Sequence, residues 1–266
     1  MATNITDIKI NTMAEMAARG ETPEVLFWVG CAGSFDDRAK KITKAIVKIL
    51  HHCNVSFAVL GIEESCTGDP AKRAGNEFLF QMQAMTNIQV MNAYEVKKIV
   101  TGCPHCFNTI KNEYPQLGGT YEVLHHSQFL QQLMEDGRLK VEGGEFKGKK
   151  ITFHDPCYLG RANGEYEAPR NLLQKLDAEL SEMKRSRANG LCCGAGGGQM
   201  FKEAEKGNKE VNMERTEDVL ELKPDVVAVG CPFCMTMIKD GVKLNDKENE
   251  IEVLDISEMI MRAKDL

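Results

Sequence analysis

The chain has 266 residues, a hydrophobic fraction of 42%, a charged fraction of 27% and a net charge of −6, the profile of a globular protein with room for one large domain or two ordinary ones. The acidic balance excludes nucleic acid as the main partner, because no basic surplus exists to neutralise phosphates. No stretch approaches about 18 uncharged apolar residues, so no direct membrane span is expected. Residues 1–20 mix Asp7, Lys9, Glu15 and Arg19 with apolar side chains and lack the continuous apolar run of a secretory signal. Ten cysteines without such a signal point to the reducing cytoplasm, where clustered thiols are more often metal ligands or redox groups than disulfides.

After an N-terminal extension (1–24), an apolar strand at 25–29 enters Gly30-Cys31. A segment of helical period (39–51) and a second strand candidate (55–60) follow. Met82 and Met85 lie at helical spacing and read as gap-filling core. Residues 98–100 run as a strand into Gly102-Cys103-Pro104-His105-Cys106; 121–124 is a further strand and 127–134 is amphipathic. Glycines and charges interrupt the pattern at 141–150, the expected seam. The order then repeats. A strand at 151–153 enters His154-Asp155-Pro156-Cys157, a helical stretch spans 202–222, and 226–230 runs into Cys231-Pro232-Phe233-Cys234. A strand at 251–254 and an amphipathic segment at 257–263 close the chain. The alternation predicts an α/β protein of two homologous, Rossmann-like lobes (25–142 and 149–266) with mainly parallel sheets.

Nine of the ten cysteines keep the register of this repeat. Cys31 to Cys66 and Cys157 to Cys192 are both separated by 35 positions, and the further steps to Cys103 and Cys231 are 37 and 39. Thiolates that must converge on one centre hold such a register. Cys31, Cys103, Cys157 and Cys231 each follow a strand at its carboxyl end, where open α/β sheets bind ligands. Pro104 and Pro232 suit the first turn of a helix whose N-terminus would face an anionic centre.

Lobe one offers four thiols, Cys31, Cys66, Cys103 and Cys106, compatible with a [4Fe–4S] cubane or a closed zinc site. Lobe two offers five, Cys157, Cys192, Cys193, Cys231 and Cys234, one more than either needs, which favours a larger or distorted multi-iron centre. Gly194 opens a glycine run whose N–H groups can donate to cluster sulfides; a phosphate cradle is the weaker alternative beside two cysteines. Cys53 has no counterpart and reads as a small packed residue. His125 and His126 read as packing or surface residues, one of which could face the crevice.

The spacing of Cys157, Cys192-Cys193-Gly194 and Cys231-Pro232-Phe233-Cys234 resembles the cysteine-rich CCG domain, found in tandem in a subunit of heterodisulfide reductase and in the iron–sulfur subunits of related oxidoreductases. Residues 63–77, around Cys66-Thr67-Gly68, resemble members linked to electron-transfer flavoprotein. The resemblance covers nearly all of 25–266. It implies a non-cubane [4Fe–4S] cluster on the five cysteines of lobe two. Lobe one departs from the pattern at Thr67, which leaves a [4Fe–4S] cubane or zinc there.

Around the second site, His154 could supply a proton, since histidine titrates near neutrality, and Arg161 could hold an anionic substrate or offset cluster charge. The bland alternatives are a backbone hydrogen bond for His154 and a helix cap for Asp155. The expected function is an iron–sulfur electron-transfer subunit of a cytoplasmic oxidoreductase complex, membrane-associated only through a partner. It lacks its own ferredoxin-type cysteine run and dinucleotide fingerprint. It should therefore take electrons from a flavoprotein or ferredoxin-type subunit and could act on a small redox substrate. A zinc-stabilised binding module and a disulfide-reducing subunit using the Cys-x-x-Cys pairs are the alternatives.

Overall fold

The structure, a computed structural model, describes residues 8–142, 144–203 and 206–266. Residues 1–7 of the extension, Gly143 of the seam, and Ala204 and Glu205 of the 202–222 stretch lie outside it. Lobe one runs β1 (Asn11–Thr12), α1 (Met13–Ala18), β2 (Val25–Trp28), α2 (Gly30–Phe35), α3 (Ala39–His52), β3 (Phe57–Val59), α4 (Asp69–Arg73), α5 (Glu77–Ala93), β4 (Lys98–Thr101), α6 (Pro104–Asn108), β5 (Glu122–His125) and α7 (His126–Glu135). Lobe two runs β6 (Lys150–Phe153), α8 (Glu167–Gln174), β7 (Glu179–Leu180), α9 (Val211–Leu222), β8 (Val226–Val229), α10 (Pro232–Leu244), β9 (Glu252–Asp255) and α11 (Ile256–Ala263).

Every strand pairing is parallel. The sheets are ordered β1-β3-β2-β4-β5 and β7-β6-β8-β9. Helices cover both faces, so the central strands need apolar side chains on both sides rather than alternation. β2 and β8, Val-Leu-Phe-Trp and Val-Val-Ala-Val, are buried at every position. Pro104 and Pro232 begin α6 and α10 as their missing N–H and fixed φ favour.

Three local expectations change. Of the helix expected over 202–222, the structure has Val211–Leu222. The extension joins lobe one: β1 pairs with β3, and Ile8, Met13 and Met16 enter the core. Met82 and Met85 are half exposed, not core. Their spacing is helical, but the core face of α5 is taken by Phe80, Ala84, Ile88 and Met91, and Met82 and Met85 fall on the opposite side with Phe78.

The lobes embrace reciprocally. The last helix of lobe one, α7, packs on α8 of lobe two, and the last helix of lobe two, α11, packs on α3 of lobe one. Arg38 makes a bidentate pair with Glu258 at 2.8 and 2.7 Å; Gln128 donates to Glu165 at 2.7 Å. Gln128 and Glu258 hold the same place in the repeat, each closing the capping box of its helix.

Candidate metal centres

In lobe one, Cys31 lies in the first turn of α2, Cys66 in the loop before α4, Cys103 just before α6 and Cys106 inside α6. All four line one cavity, with Gly30, Thr67, His105 and Phe233. The Glu64 carboxylate accepts from the Val29 and Gly30 amides at 3.0 and 2.6 Å and so fixes the start of α2. Burial raises the Glu64 carboxyl to about 7. Asn87, on the inner face of α5, donates to the Cys66 carbonyl at 3.0 Å and accepts from Ser65, holding the Cys66 loop from behind.

In lobe two, Cys157 follows β6, Cys192 and Cys193 lie in the loop after 187–189, Cys231 precedes α10 and Cys234 lies inside it. Cys193 Sγ is 3.4 Å from Cys234 Sγ. His154, Cys193 and Cys234 present donor atoms that all lie within 4.8 Å of one another. The chain that leads into Cys192 and Cys193 is tied down twice. Asp155 takes a bidentate pair from Arg170 at 2.8 and 3.0 Å and the Arg187 amide at 2.7 Å, while Arg161 Nη1 donates to the Gly190 carbonyl at 2.6 Å. Asp155 therefore braces this loop instead of capping the next helix, because no helix starts until Glu167.

The same cysteine is drawn down in both lobes, Cys66 in one and Cys192 in the other. The Cys31 thiol, itself held up, donates to Cys66 and brings it down to about 7. Cys157 and Cys193 both donate to Cys192, whose thiol lies far below the ordinary range, while Cys193 is pushed up to about 12. Each of these two cysteines also accepts from the amide of the glycine two residues on, Gly68 or Gly194, at 3.3 Å in lobe two. Both glycines have φ near 90°, a conformation other residues rarely adopt. A Cβ on Gly68 would also stand 2.8 Å from the Phe80 ring. The Cys-x-Gly motif thus positions one amide on one sulfur.

Across the lobes the two sites touch. Phe233 of lobe two lines the lobe-one cysteine cavity; Cys231 is pushed up by its burial, and Cys103 is drawn down by its neighbours Cys106 and Cys231. His105, between Pro104 and Cys106, stacks on Tyr158 at 4.6 Å, meets the edge of Phe233 at 5.1 Å and bonds to Asp69 at 2.9 Å. His125 Nε2 bonds to the Gly230 carbonyl at 3.0 Å. His126 Nε2 lies 3.1 Å from Asp255, both fully buried. Both histidines are therefore interface residues, not crevice groups.

His154 is buried behind its site and accepts from Arg215 Nε at Nδ1, 3.1 Å away, which leaves its hydrogen on Nε2. Burial, with the Arg215 charge next, drives it down to about 3. The near-neutral titration expected from sequence does not occur, because its partners allow only the neutral ring. Sequence reading passed over Glu64, Asn87, Arg215 and His105. The signal for His105 was its place opposite Phe233 in the two Cys-Pro-x-Cys motifs. Cys53 is buried away from both sites, in the lobe-one core.

Two α/β lobes that each converge cysteines on the carboxyl edge of a parallel sheet, and press those edges together, define a tandem cysteine-rich protein. The chain belongs to the CCG cysteine-rich domain family, whose model matches residues 25–111 and again 151–239. It is 45% identical to the "Probable iron-sulfur-binding oxidoreductase FadF" of Bacillus subtilis over 97% of this chain and 36% of that one. It is 44% identical to the EtfAB:quinone oxidoreductase of Syntrophomonas wolfei over 92% of this chain and 35% of that one. It is 32% identical to one subunit of the dihydromethanophenazine:CoB–CoM heterodisulfide reductase of Methanosarcina barkeri over 97% and 61%. The chain thus spans about a third of the first two relatives. No helix among the described residues is long and apolar enough to cross a membrane.

The residues fit iron–sulfur clusters. Besides convergent thiols, Trp28 Nε1 in lobe one and Arg215 Nη2 in lobe two are buried N–H groups without a partner among the described residues. Cluster sulfurs accept such bonds.

Proposed function

We propose that this chain is an iron–sulfur electron-transfer subunit of an oxidoreductase, relaying electrons between one centre in each lobe. The observation that carries the reading is the packing of the two Cys-Pro-x-Cys turns on one another, with Phe233 of lobe two lining the lobe-one cysteine cavity and meeting His105 at 5.1 Å. In lobe two Cys157, Cys192, Cys193, Cys231 and Cys234 hold a [4Fe–4S] cluster of non-cubane type, and in lobe one Cys31, Cys66, Cys103 and Cys106 hold a second cluster.

Such clusters supply one-electron chemistry when bound. The chain contributes the rest. Cys31, Cys66, Cys157 and Cys192 are half exposed, while Cys103, Cys106, Cys193, Cys231 and Cys234 are buried, so each site is open on its outer side and closed at the shared wall. The outer sides would be where an external donor meets a bound cluster, and the buried cysteines would line the path between the two centres. Gly194 donates an amide to the lobe-two centre, His154 presents its Nε2–H to that centre, and Arg161 holds the loop that carries Cys192. The partners are a flavoprotein or ferredoxin-type subunit, in keeping with the names of the relatives, and any membrane association runs through them.

The test is iron, acid-labile sulfide and zinc per chain on anaerobically purified protein, with EPR after reduction and oxidation. About eight iron and eight sulfide per chain, with two signals, is the expected result. About four iron with one zinc removes the relay and leaves a single redox centre; zinc alone leaves a binding module.

A further inference from the structure

Trp28 and His154 are the same position in the two lobes. Each stands three residues before the first cysteine of its set, Cys31 or Cys157. Trp28 closes β2 opposite Thr101, and the His154 amide extends the β6–β8 ladder by donating to the Ala228 carbonyl at 3.0 Å. Both are buried completely or nearly so, at 0% and 1% exposure. The two residue types share one useful feature, a ring N–H.

In lobe two that N–H is aimed by a neighbour. Arg215 occupies His154 Nδ1, so Nε2 carries the hydrogen, and the ring brings a nitrogen within 4.8 Å of Cys193 and Cys234 Sγ. An indole has a single N–H and no tautomer to select, so lobe one needs no such partner. There the inner face of the corresponding helix carries Asn87, which braces the Cys66 loop instead.

Trp28 Nε1 is buried with no hydrogen-bond partner among the described residues, a destabilising arrangement for an isolated donor. It faces room rather than a packed wall. A Cβ built on Gly30 would stand 3.3 Å from Cys106 Sγ and 4.0 Å from Trp28 Nε1. The space kept clear by that glycine therefore lies between the indole N–H and a thiol that lines the lobe-one cavity.

We propose that Trp28 donates its indole N–H to a sulfur of the lobe-one centre, as His154 does in lobe two. The inference rests on the cluster reading above. A bond to cluster sulfur stabilises the more negative, reduced state and so raises the potential. Trp28 acts as a positioning and tuning residue, not a ligand.

This is the only tryptophan of the chain, so labelling tryptophan with indole nitrogen-15 marks one atom. Pulsed EPR of reduced, labelled wild-type protein should show coupling to that nitrogen and to an exchangeable proton. Trp28→Phe should lose both, keep its iron and sulfide, and lower the midpoint potential; Trp28→His should recover part of the shift. Absence of both couplings in the wild type overturns the proposal even where the variants fail to fold. So does a folded, loaded Trp28→Phe with unchanged potential. Metal analysis of the same samples separates failure of the cluster reading: zinc in lobe one ends the relay. The bond is then read from the indole 1H–15N resonance, whose downfield move on zinc loading supports Trp28 as donor and whose constancy overturns it.

Discussion

Thr67 Oγ1 lies 4.0 Å from Cys106 Sγ, in the arrangement that Cys193 Sγ and Cys234 Sγ adopt at 3.4 Å in the other lobe. The hydroxyl thus stands where lobe two has its fifth thiol. Thr67→Cys should give lobe one a fifth ligand and draw its EPR signal toward that of lobe two, with iron content kept. A spectrum identical to wild type at full loading would show that residue 67 is not at the cluster.

Cys193→Ala removes a buried sulfur bonded to both Cys192 and Cys234. The lobe-two signal should be lost or become that of an ordinary cubane, with the lobe-one signal unchanged. Unaltered iron, sulfide and EPR would sink the five-cysteine assignment.

Arg170 is 2% exposed and grips Asp155 and Glu182. Removing it leaves the Asp155 carboxylate buried against one amide. Arg170→Ala should cost about 3–5 kcal/mol in a urea melt. Arg170→Lys should recover little of it, because an ammonium cannot donate the two coplanar hydrogen bonds that the guanidinium gives the carboxylate. A lysine variant as stable as wild type would count against the bidentate grip.

His125 is buried between the lobes and held well below its ordinary pKa, first by burial and then by His126. The folded chain keeps it neutral while the unfolded chain protonates it below about 6.5. Stability is therefore fully present above about pH 6.5 and falls as pH drops below it, by about 1.4 kcal/mol per pH unit for this one group. His125→Asn removes that proton while offering an acceptor to Ser127, as Asp255 does for Ser257 at 2.8 Å in lobe two. The difference between wild type and variant, followed by denaturant melts of metal-free protein from pH 7.5 to about 5, should narrow or reverse toward acid. Parallel curves would refute the assignment.

The cysteine register, the strands that feed it and the parallel sheets were legible because each rests on local chemistry: apolar runs, proline at a helix start, thiols at a fixed step. What escaped depends on contacts distant in sequence. Nothing near His154 announces that Arg215 holds its ring neutral from α9. The match of Trp28 with His154 is hidden because residue types are compared by size and polarity, and these two share only a donor. Met82 and Met85 had the right period, but the outer face of α5 is invisible until the partners on its inner face are known. The start of α9 was misplaced because a lysine- and glutamate-rich stretch satisfies helical spacing without an apolar face to dock.

The reciprocal embrace, with α7 on α8 and α11 on α3, has the geometry of an isologous contact: the same pair of surfaces meets twice about a pseudo-twofold axis. Two identical half-length chains could pair in this way, but both would then be bound to carry the same residue at each position. Joining them through 141–150 in one polypeptide lifts that constraint. Thr67 can differ from Cys193, Trp28 from His154 and His125 from Asp255, so a symmetric frame can house two sites of unequal chemistry and give the path between them a direction.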